Sequence, residues 1–595
     1  MTFDFDGLDV RKFRRGRIRI GAEEAAGARR LAILELCGWL EGGKASERNF
    51  SRQKNAAGKK YGLRNVVKNA EILEEFARSG KKTDGKIMLL LRVKPVRALS
   101  GITNIAVMTR PEGSCPFNCI YCPQGVEAPR SYTGYEPSAR RARQNGFDPY
   151  LQTCARLEQL RISGHQAAKC EVIIQGGTFN RQPKGYREEF IVGMLDALNG
   201  KNRIENKTSD GNDAGDLAET KKENKKVSET AGKKVAGIKT KKEELTENAV
   251  EAALEENEKA THRMVGLTIE TRPDCASEKE VYGLVKLGTT RIELGVQTLS
   301  DGKYILARRG HGRKEVIEAT RNCKDALLKV CYHMMPGLFS TPEEDGGYFG
   351  ELFSNPDFRP DMLKIYPTLV MPGTGLYDLW KKGKFEPPTE EDTTRLLMKI
   401  KKNVPDYVRI MRVERDIPSN LIGEGIRTPN IRQIVRERMR RQGEKCRCIR
   451  CREIGYKTRR EGVKPDFTAV EMERKDYGAS GGKEIFLSMV DKTNDALMGI
   501  CRLRKPSIER FVGEIGDNCG VRELHVYGDE LDLGLRKAEA AQHRGFGKTL
   551  LSEAERIAKE GYDSKKLVVI SGAGARPYYY KLGYARDGAY VSKTL

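Results

Sequence analysis

Six short segments rich in β-branched and other apolar residues recur at intervals: Ile105–Met108, Glu171–Gln175, Met264–Glu270, Arg291–Val296, Lys329–Met334 and Met362–Val370. Stretches of helical periodicity separate them. Strands divided by helices cannot pair through tight hairpins, so they must run parallel, with both faces covered. Six such units predict an α/β fold, a partial (βα)6 barrel whose reactive groups collect at the carboxyl ends of the strands. Beyond residue 465 the rhythm changes to a strand-rich run, one amphipathic helix and a last strand. That pattern predicts a second α/β domain of about 130 residues, an ordinary domain size.

At 595 residues the chain exceeds a single ordinary core. Four segments are expected: a basic, largely helical region at 1–100, the barrel at 101–400, a basic linker at 401–464, and the second α/β domain at 465–595. In the first segment, Ala25–Leu36 and Asn69–Ala77 read as helices and 43–60 as a polar loop. Residues 201–247 are too poor in apolar side chains to build a core and read as a largely disordered insertion, with helix resuming near Glu243–Ala260.

The net charge of +24 and pI near 9.3 point to a polyanionic partner, most simply nucleic acid; a solvated basic surface is the plainer alternative. The excess is uneven, because residues 1–100 hold 23 Lys and Arg against 12 Asp and Glu. Fourteen cysteines, six of them in two metal-type groups, suit a reducing cytosol better than a disulfide framework. No stretch reaches the ~20 apolar residues of a membrane span. The N-terminus lacks an apolar signal core, so the expectation is a soluble, cytoplasmic protein without membrane contact.

The chemistry begins at Cys115-Pro-Phe-Asn-Cys119-Ile-Tyr121-Cys122, directly after the first expected strand. Three thiolates on one loop can hold three irons of a [4Fe–4S] cluster and leave the fourth open, unlike closed four-cysteine sites. A structural zinc or unrelated buried thiols is the alternative, but no fourth ligand follows nearby. The spacing resembles the radical-SAM superfamily, in which the open iron binds S-adenosylmethionine. The resemblance puts Tyr121 near the adenine. It also puts the strand end Gln175-Gly176-Gly177-Thr178 at the methionyl part, where glycines let backbone approach a ligand.

Further runs make the match more specific: Ser131–Pro137 with Arg140-Arg141, Leu267–Asp274, Glu293–Thr298, Arg308-Arg309-Gly-His311, Tyr332–Gly337 and Arg415–Pro418. With these the chain resembles the catalytic subunit of Elongator and its stand-alone archaeal and bacterial relatives, from about residue 60 onward apart from the insertion. Glu270, Arg272 and Glu293 are expected at strand ends as ligands of S-adenosylmethionine or substrate, or else as ion pairs closing the barrel mouth. Cys446, Cys448 and Cys451 sit close enough to share one metal, and the resemblance also implies zinc there. A distant histidine such as His311 or His333 would complete the site, and shielded free thiols are the alternative.

In the last domain Gln542-His543-Arg544-Gly545-Phe546-Gly547 opens a helix and resembles the acetyl-CoA loop of GCN5-related acetyltransferases. Glycines bare backbone N–H groups there, and the helix start adds positive potential for a diphosphate. The resemblance extends to Arg576–Tyr584 and implies that Tyr578 and Tyr579 lie at the acetyl-CoA site. The plainer reading is an aromatic core helix. Pro577 departs from the family's acidic residue.

The resemblance implies a tRNA-modifying enzyme acting on the wobble uridine (U34) of the anticodon stem-loop. In it, acetyl-CoA is bound by the last domain and its acetyl methyl loses hydrogen to a radical made from S-adenosylmethionine. The carbon then joins C5 of uridine, and thioester hydrolysis leaves carboxymethyluridine. Two other readings stand beside it: a protein lysine acetyltransferase with a structural cluster, and a non-catalytic RNA-binding scaffold. Like charges disfavour basic protein tails as substrates. The electron donor, and whether a homodimer or partner subunits are needed, are open.

Overall fold

The computed structural model describes residues 22–43, 45–80, 85–93, 101–113, 115–125, 127–203, 247–507, 511–528 and 544–595. Nearly all of the expected insertion lies outside them, as do the basic run at 11–17, Gln542 and His543.

Four helices, Ala22–Glu41, Glu47–Lys60, Asn69–Arg78 and Gly85–Leu91, form a small core of their own around Leu36, Leu40, Phe50, Ile72 and Phe76. The second of them overturns the loop reading of 43–60. Ser46 caps it: its side chain accepts from Asn49 N–H, and the Asn49 side chain accepts from Ser46 N–H at 2.7 Å. This reciprocal cap offsets the polarity of a helix that buries little beyond Phe50 and Ala57. Val93 ties the region to the barrel, donating to Ser163 O and accepting from His165.

The six expected strands are all present: β1 (Thr103–Met108), β2 (Lys169–Gln175), β3 (Arg263–Thr271), β4 (Arg291–Gln297), β5 (Lys329–Met334) and β6 (Met362–Ile365). They pair in chain order, all parallel. β6 stops short of the expected Val370, because Pro367 has no N–H to give a ladder. A seventh strand, β7 (Arg409–Arg412), extends the sheet into the segment read as linker. Its Arg-Ile-Met-Arg is too short and too charged to register as an apolar run. The sheet stays open, a partial barrel.

The second sheet holds β8 (Val470–Ala479), β9 (Gly482–Asp491), β10 (Ala496–Lys505), β11 (Gly520–Val526), β12 (Lys566–Val569), β13 (Ala585–Asp587) and β14 (Tyr590–Thr594), in the order β13-β14-β12-β11-β10-β9-β8. β11 and β12 are parallel and pair only at Gly520–Val568 and Val521–Val569. β11 then runs on to Val526 without β12 beside it, so the sheet parts there.

The two sheets share one continuous core. Between them lies a buried charge cluster. Arg522 of β11 binds Asp361 of the barrel through both nitrogens at 2.5 and 2.8 Å, and Glu484 of β9 at 2.9 Å. Arg504 joins Asp325 at 2.6 Å to Glu484 at 2.9 Å. Burial pushes the Lys324 ammonium beside them down to about 8. Backbone touches backbone as well: a Cβ on Gly572 would stand 2.4 Å from Val265 C in β3.

Removing one partner of a buried pair strands the other charge. Arg522→Met is expected to cost about 3–5 kcal/mol, read as a lower urea midpoint. An unchanged midpoint would show that the cluster does not hold the two sheets together.

Candidate active site

The cysteine loop leaves the end of β1 and lies over the carboxyl ends of the strands. Cys119 Sγ accepts from two guanidiniums, Arg309 at 3.3 Å and Arg272 at 3.4 Å. Arg272 is itself held by Asp274 at 2.8 and 2.9 Å and by Arg309 O, and it lies 3.5 Å over the Phe117 ring. Burial would raise the Cys119 thiol, but Arg309 and Arg272 outweigh it and hold it below its ordinary value. Burial, with Cys119 and Cys115 close by, pushes Cys122 up to about 11. Thr178 donates to Cys115 Sγ at 3.8 Å. Three thiols with two cations against them suit an anionic iron–sulfur cluster, whose potential depends on hydrogen bonds to its sulfurs. Arg309 stood in a quoted motif, but only the fold brings it to the sulfur.

Gly176 has φ 115°, and a Cβ there would meet Thr109 Oγ1 at 2.3 Å and Pro129 at 3.0 Å. The glycine therefore lets β2 pack against the base of the cysteine loop. Gly177 follows with φ 67°. Gln175 Oε1 and Gln297 Oε1 are buried without a hydrogen-bond partner among the described residues. With Tyr121 they line one cavity of about 720 Å³. Two unanswered acceptors beside a thiol loop fit a ligand that brings N–H donors, as S-adenosylmethionine does.

Glu270 sits in that cavity near the end of β3, accepting from Tyr132 Oη at 2.8 Å, with Lys364 Nζ 3.5 Å away. Glu293 does not end its strand, as had been expected. It lies inside β4, fully buried, paired with Lys364 and with His333 at 2.8 Å. Burial would raise the Glu293 carboxyl, yet Lys364 and His333 hold it well below the usual carboxylate range. Burial likewise would lower Lys364, and Glu293 raises it instead. Ion pairs thus hold all three, Glu293 and Glu270 with Lys364 and Arg272 with Asp274, while Glu270 also lines the cavity and Arg272 reaches the sulfur. Lys364 had no sequence signal, since it lies within an apolar strand.

The same cavity reaches the end of β11, where Glu523, His525 and, just past the strand, Tyr527 line it. The His525 and Tyr527 rings stack at 4.4 Å. Near the parting of β11 from β12, the helix Phe546–Arg556 begins at Gly545, whose φ of 82° favours glycine. A Cβ on Gly547 would come within 2.8 Å of Tyr578 Oη. Tyr578 is 42% exposed, whereas Tyr579 is buried in the core with its ring edge-on to Tyr578. Arg544 lies 3.7 Å over the Phe467 ring. Pro577 falls in the first turn of the helix Arg576–Tyr580, where its missing N–H costs nothing.

The Cys446, Cys448 and Cys451 sulfurs lie within 4.8 Å of one another. Among the described residues neither His311 nor His333 belongs to that group, because His333 is held by Glu293 and His311 packs on Tyr304. The Lys401 ammonium stands 3.7 Å from Cys451 Sγ. Arg432 nearby is pushed down to about 10 by burial and by Arg450.

Glu293 makes stability depend on pH. Its folded pKa is depressed, so the unfolded state binds the proton more readily, and stability rises with pH through the acid range. Lys364→Met removes the largest opposing charge. It is expected to lower stability at neutral pH by about 3–5 kcal/mol and to flatten the rise between pH ~3 and ~5, read from urea midpoints. An unaltered pH profile would show that Lys364 does not hold Glu293 ionised.

Two family models match the chain, the Radical SAM superfamily over residues 237–347 and the Radical_SAM C-terminal domain over residues 360–441. A tRNA uridine(34) acetyltransferase of Methanocaldococcus jannaschii is 44% identical over 536 residues, covering 89% of this chain and 90% of that one. Elongator complex protein 3 of Homo sapiens is 39% identical over 576 residues, covering 95% and 96%. The solved Elp3 of Methanocaldococcus infernus with its first 46 residues deleted superposes with a TM-score of 0.68 at 41% identity. It covers 84% of this chain and 100% of that one. With the cysteine loop, the parallel partial barrel and the parted second sheet in place, this chain belongs to the radical-SAM family of Elongator complex protein 3 and the tRNA uridine(34) acetyltransferases.

Proposed function

We propose that this protein modifies the wobble uridine of tRNA, using acetyl-CoA and S-adenosylmethionine to place a carboxymethyl group on C5. The relatives' names support the tRNA uridine(34) substrate and the acetyl donor. The observation that carries the finer reading is the single cavity joining Tyr121 and Gln175 to His525 and Tyr527. In this reading an acyl group held by the last domain reaches the barrel through that cavity without release.

In this reading Cys115, Cys119 and Cys122 hold a [4Fe–4S] cluster, and Tyr121, Gln175–Thr178, Glu270 and Arg272 surround S-adenosylmethionine. Bound there, the two would supply one-electron cleavage of the sulfonium and hydrogen removal from an unactivated methyl group. The protein's own part is electrostatic and steric. Arg272 and Arg309 balance the negative sulfur at Cys119. The Gly545–Gly547 helix start, with Arg544, and Gln542 and His543 just before it, receives the diphosphate of acetyl-CoA. Tyr578 stands beside Gly547 to steer the thioester, with Tyr579 fixing its ring. Cys446, Cys448 and Cys451 gather closely enough to hold zinc beside the shared core.

The deciding experiment is mass spectrometry of nucleosides from tRNA incubated with the reduced protein, S-adenosylmethionine and acetyl-CoA. Carboxymethyluridine at position 34 is expected; unchanged uridine would refute the reading. Gly547→Val puts a side chain against Tyr578 Oη and is expected to abolish the product together with tRNA-triggered release of CoA. Tyr578→Phe should cost only about 0.5–1.5 kcal/mol, the worth of one hydrogen bond. A Gly547→Val protein that formed product at the full rate would sever the last domain from the reaction.

A further inference from the structure

The wall of the shared cavity carries more positive charge than its acids answer. Arg409 pairs with Glu453, Arg412 with Asp416, Arg291 with Glu171 at 2.6 Å, and Lys364 with Glu293. Arg415, Arg432 and Arg450 line the same cavity and make no ion pair within 4.0 Å among the described residues. Each is held instead by a neutral carbonyl. Arg415 donates to Ser131 O, Arg432 to Ile410 O at 3.1 Å, and Arg450 to Met411 O at 2.8 Å. Arg450 adds one bond to Tyr456 Oη at 2.6 Å, and its Nε is buried without a partner among the described residues. Glu414, the carboxylate whose charge reaches Arg432, accepts from the Ile431 N–H.

A guanidinium offers five N–H donors in a fixed fork, and one carbonyl satisfies few of them. The unused donors match phosphate oxygens in pairs. Aromatic rings interleave with these cations: Tyr366 lies 5.9 Å from Arg415, and Tyr456 lies 4.8 Å from Arg450. Both tyrosines line the cavity. Cations that grip a backbone, alternating with rings on which bases stack, suit a single strand with its bases turned out.

We propose that Arg415, Arg432 and Arg450 clamp the phosphodiester backbone of the RNA strand on either side of the target base, and that Tyr366 offers a face to its bases. This assignment rests on the RNA-modifying reading above and adds the residues that seat the strand. The diphosphate of acetyl-CoA is the other source of the same phosphate chemistry, and the test separates the two.

The experiment uses the full chain and an anticodon stem-loop RNA, with affinity measured between about 50 and 200 mM salt. Arg415→Gln and Arg432→Gln each remove one clamp; Arg450 is left intact because it lies between Cys448 and Cys451. Each variant is expected to weaken binding several-fold and to lower the slope of log affinity against log salt by about 0.7–0.9, the double variant by about twice that. Arg432→Lys should recover most of the slope, and a urea midpoint for each variant separates lost contact from lost fold. If the wild type binds RNA and the slopes of both Gln variants match its own, the clamp is refuted. If the variants lose affinity for acetyl-CoA and keep RNA binding, the cations serve the cofactor and the proposal is again refuted. If the wild type binds RNA and the Gln variants show the expected slope losses, but no modified uridine forms, the clamp stands and the enzymatic reading fails.

Discussion

The bidentate pair between Arg522 and Asp361 is the contact on which the rest of this structure depends. It joins a strand of the second sheet to the segment leading into β6 of the barrel, where both side chains are almost fully buried. Glu484, Arg504, Asp325 and Lys324 extend it into a buried network. Such a network adds little net stability compared with an apolar contact of equal volume. What it does fix is geometry, because each charge tolerates only the arrangement that satisfies the others. Gly520 makes room for the Leu327 side chain, and Gly572 lets its backbone close on that of Val265.

Within that fixed geometry one cavity is lined both by barrel residues and by the end of β11. The end of β11 faces the lumen of the barrel, and His525 lines the same cavity as Gln175. Positioning contributes to rate by holding reactants already oriented.

Electrostatics inside the cavity follow a consistent scheme. Acids are tied to cations where rigidity matters, as at Glu293, Lys364 and His333. Cations face sulfur at Cys119, where negative charge must be tolerated. Elsewhere on the wall, arginines are left with carbonyls for partners.

The chain by itself determined the parallel βα order, the cysteine loop after the first strand, and the glycine-opened helix of the last domain. These are local matters: apolar period, thiol spacing and backbone freedom are written in neighbouring residues. The helix Glu47–Lys60 was legible in its Ser46–Asn49 cap but hidden by its polar composition. β7 was not legible, because four residues flanked by arginine become a strand only when β6 offers an edge. Only the tertiary structure decided that Arg309 meets Cys119, that Lys364 answers Glu293, that Gly176 serves the packing of the cysteine loop, and that Arg522 finds Asp361 from 161 residues away. A buried charge is set by partners that the chain brings together after folding, and no spacing along the sequence encodes who they are.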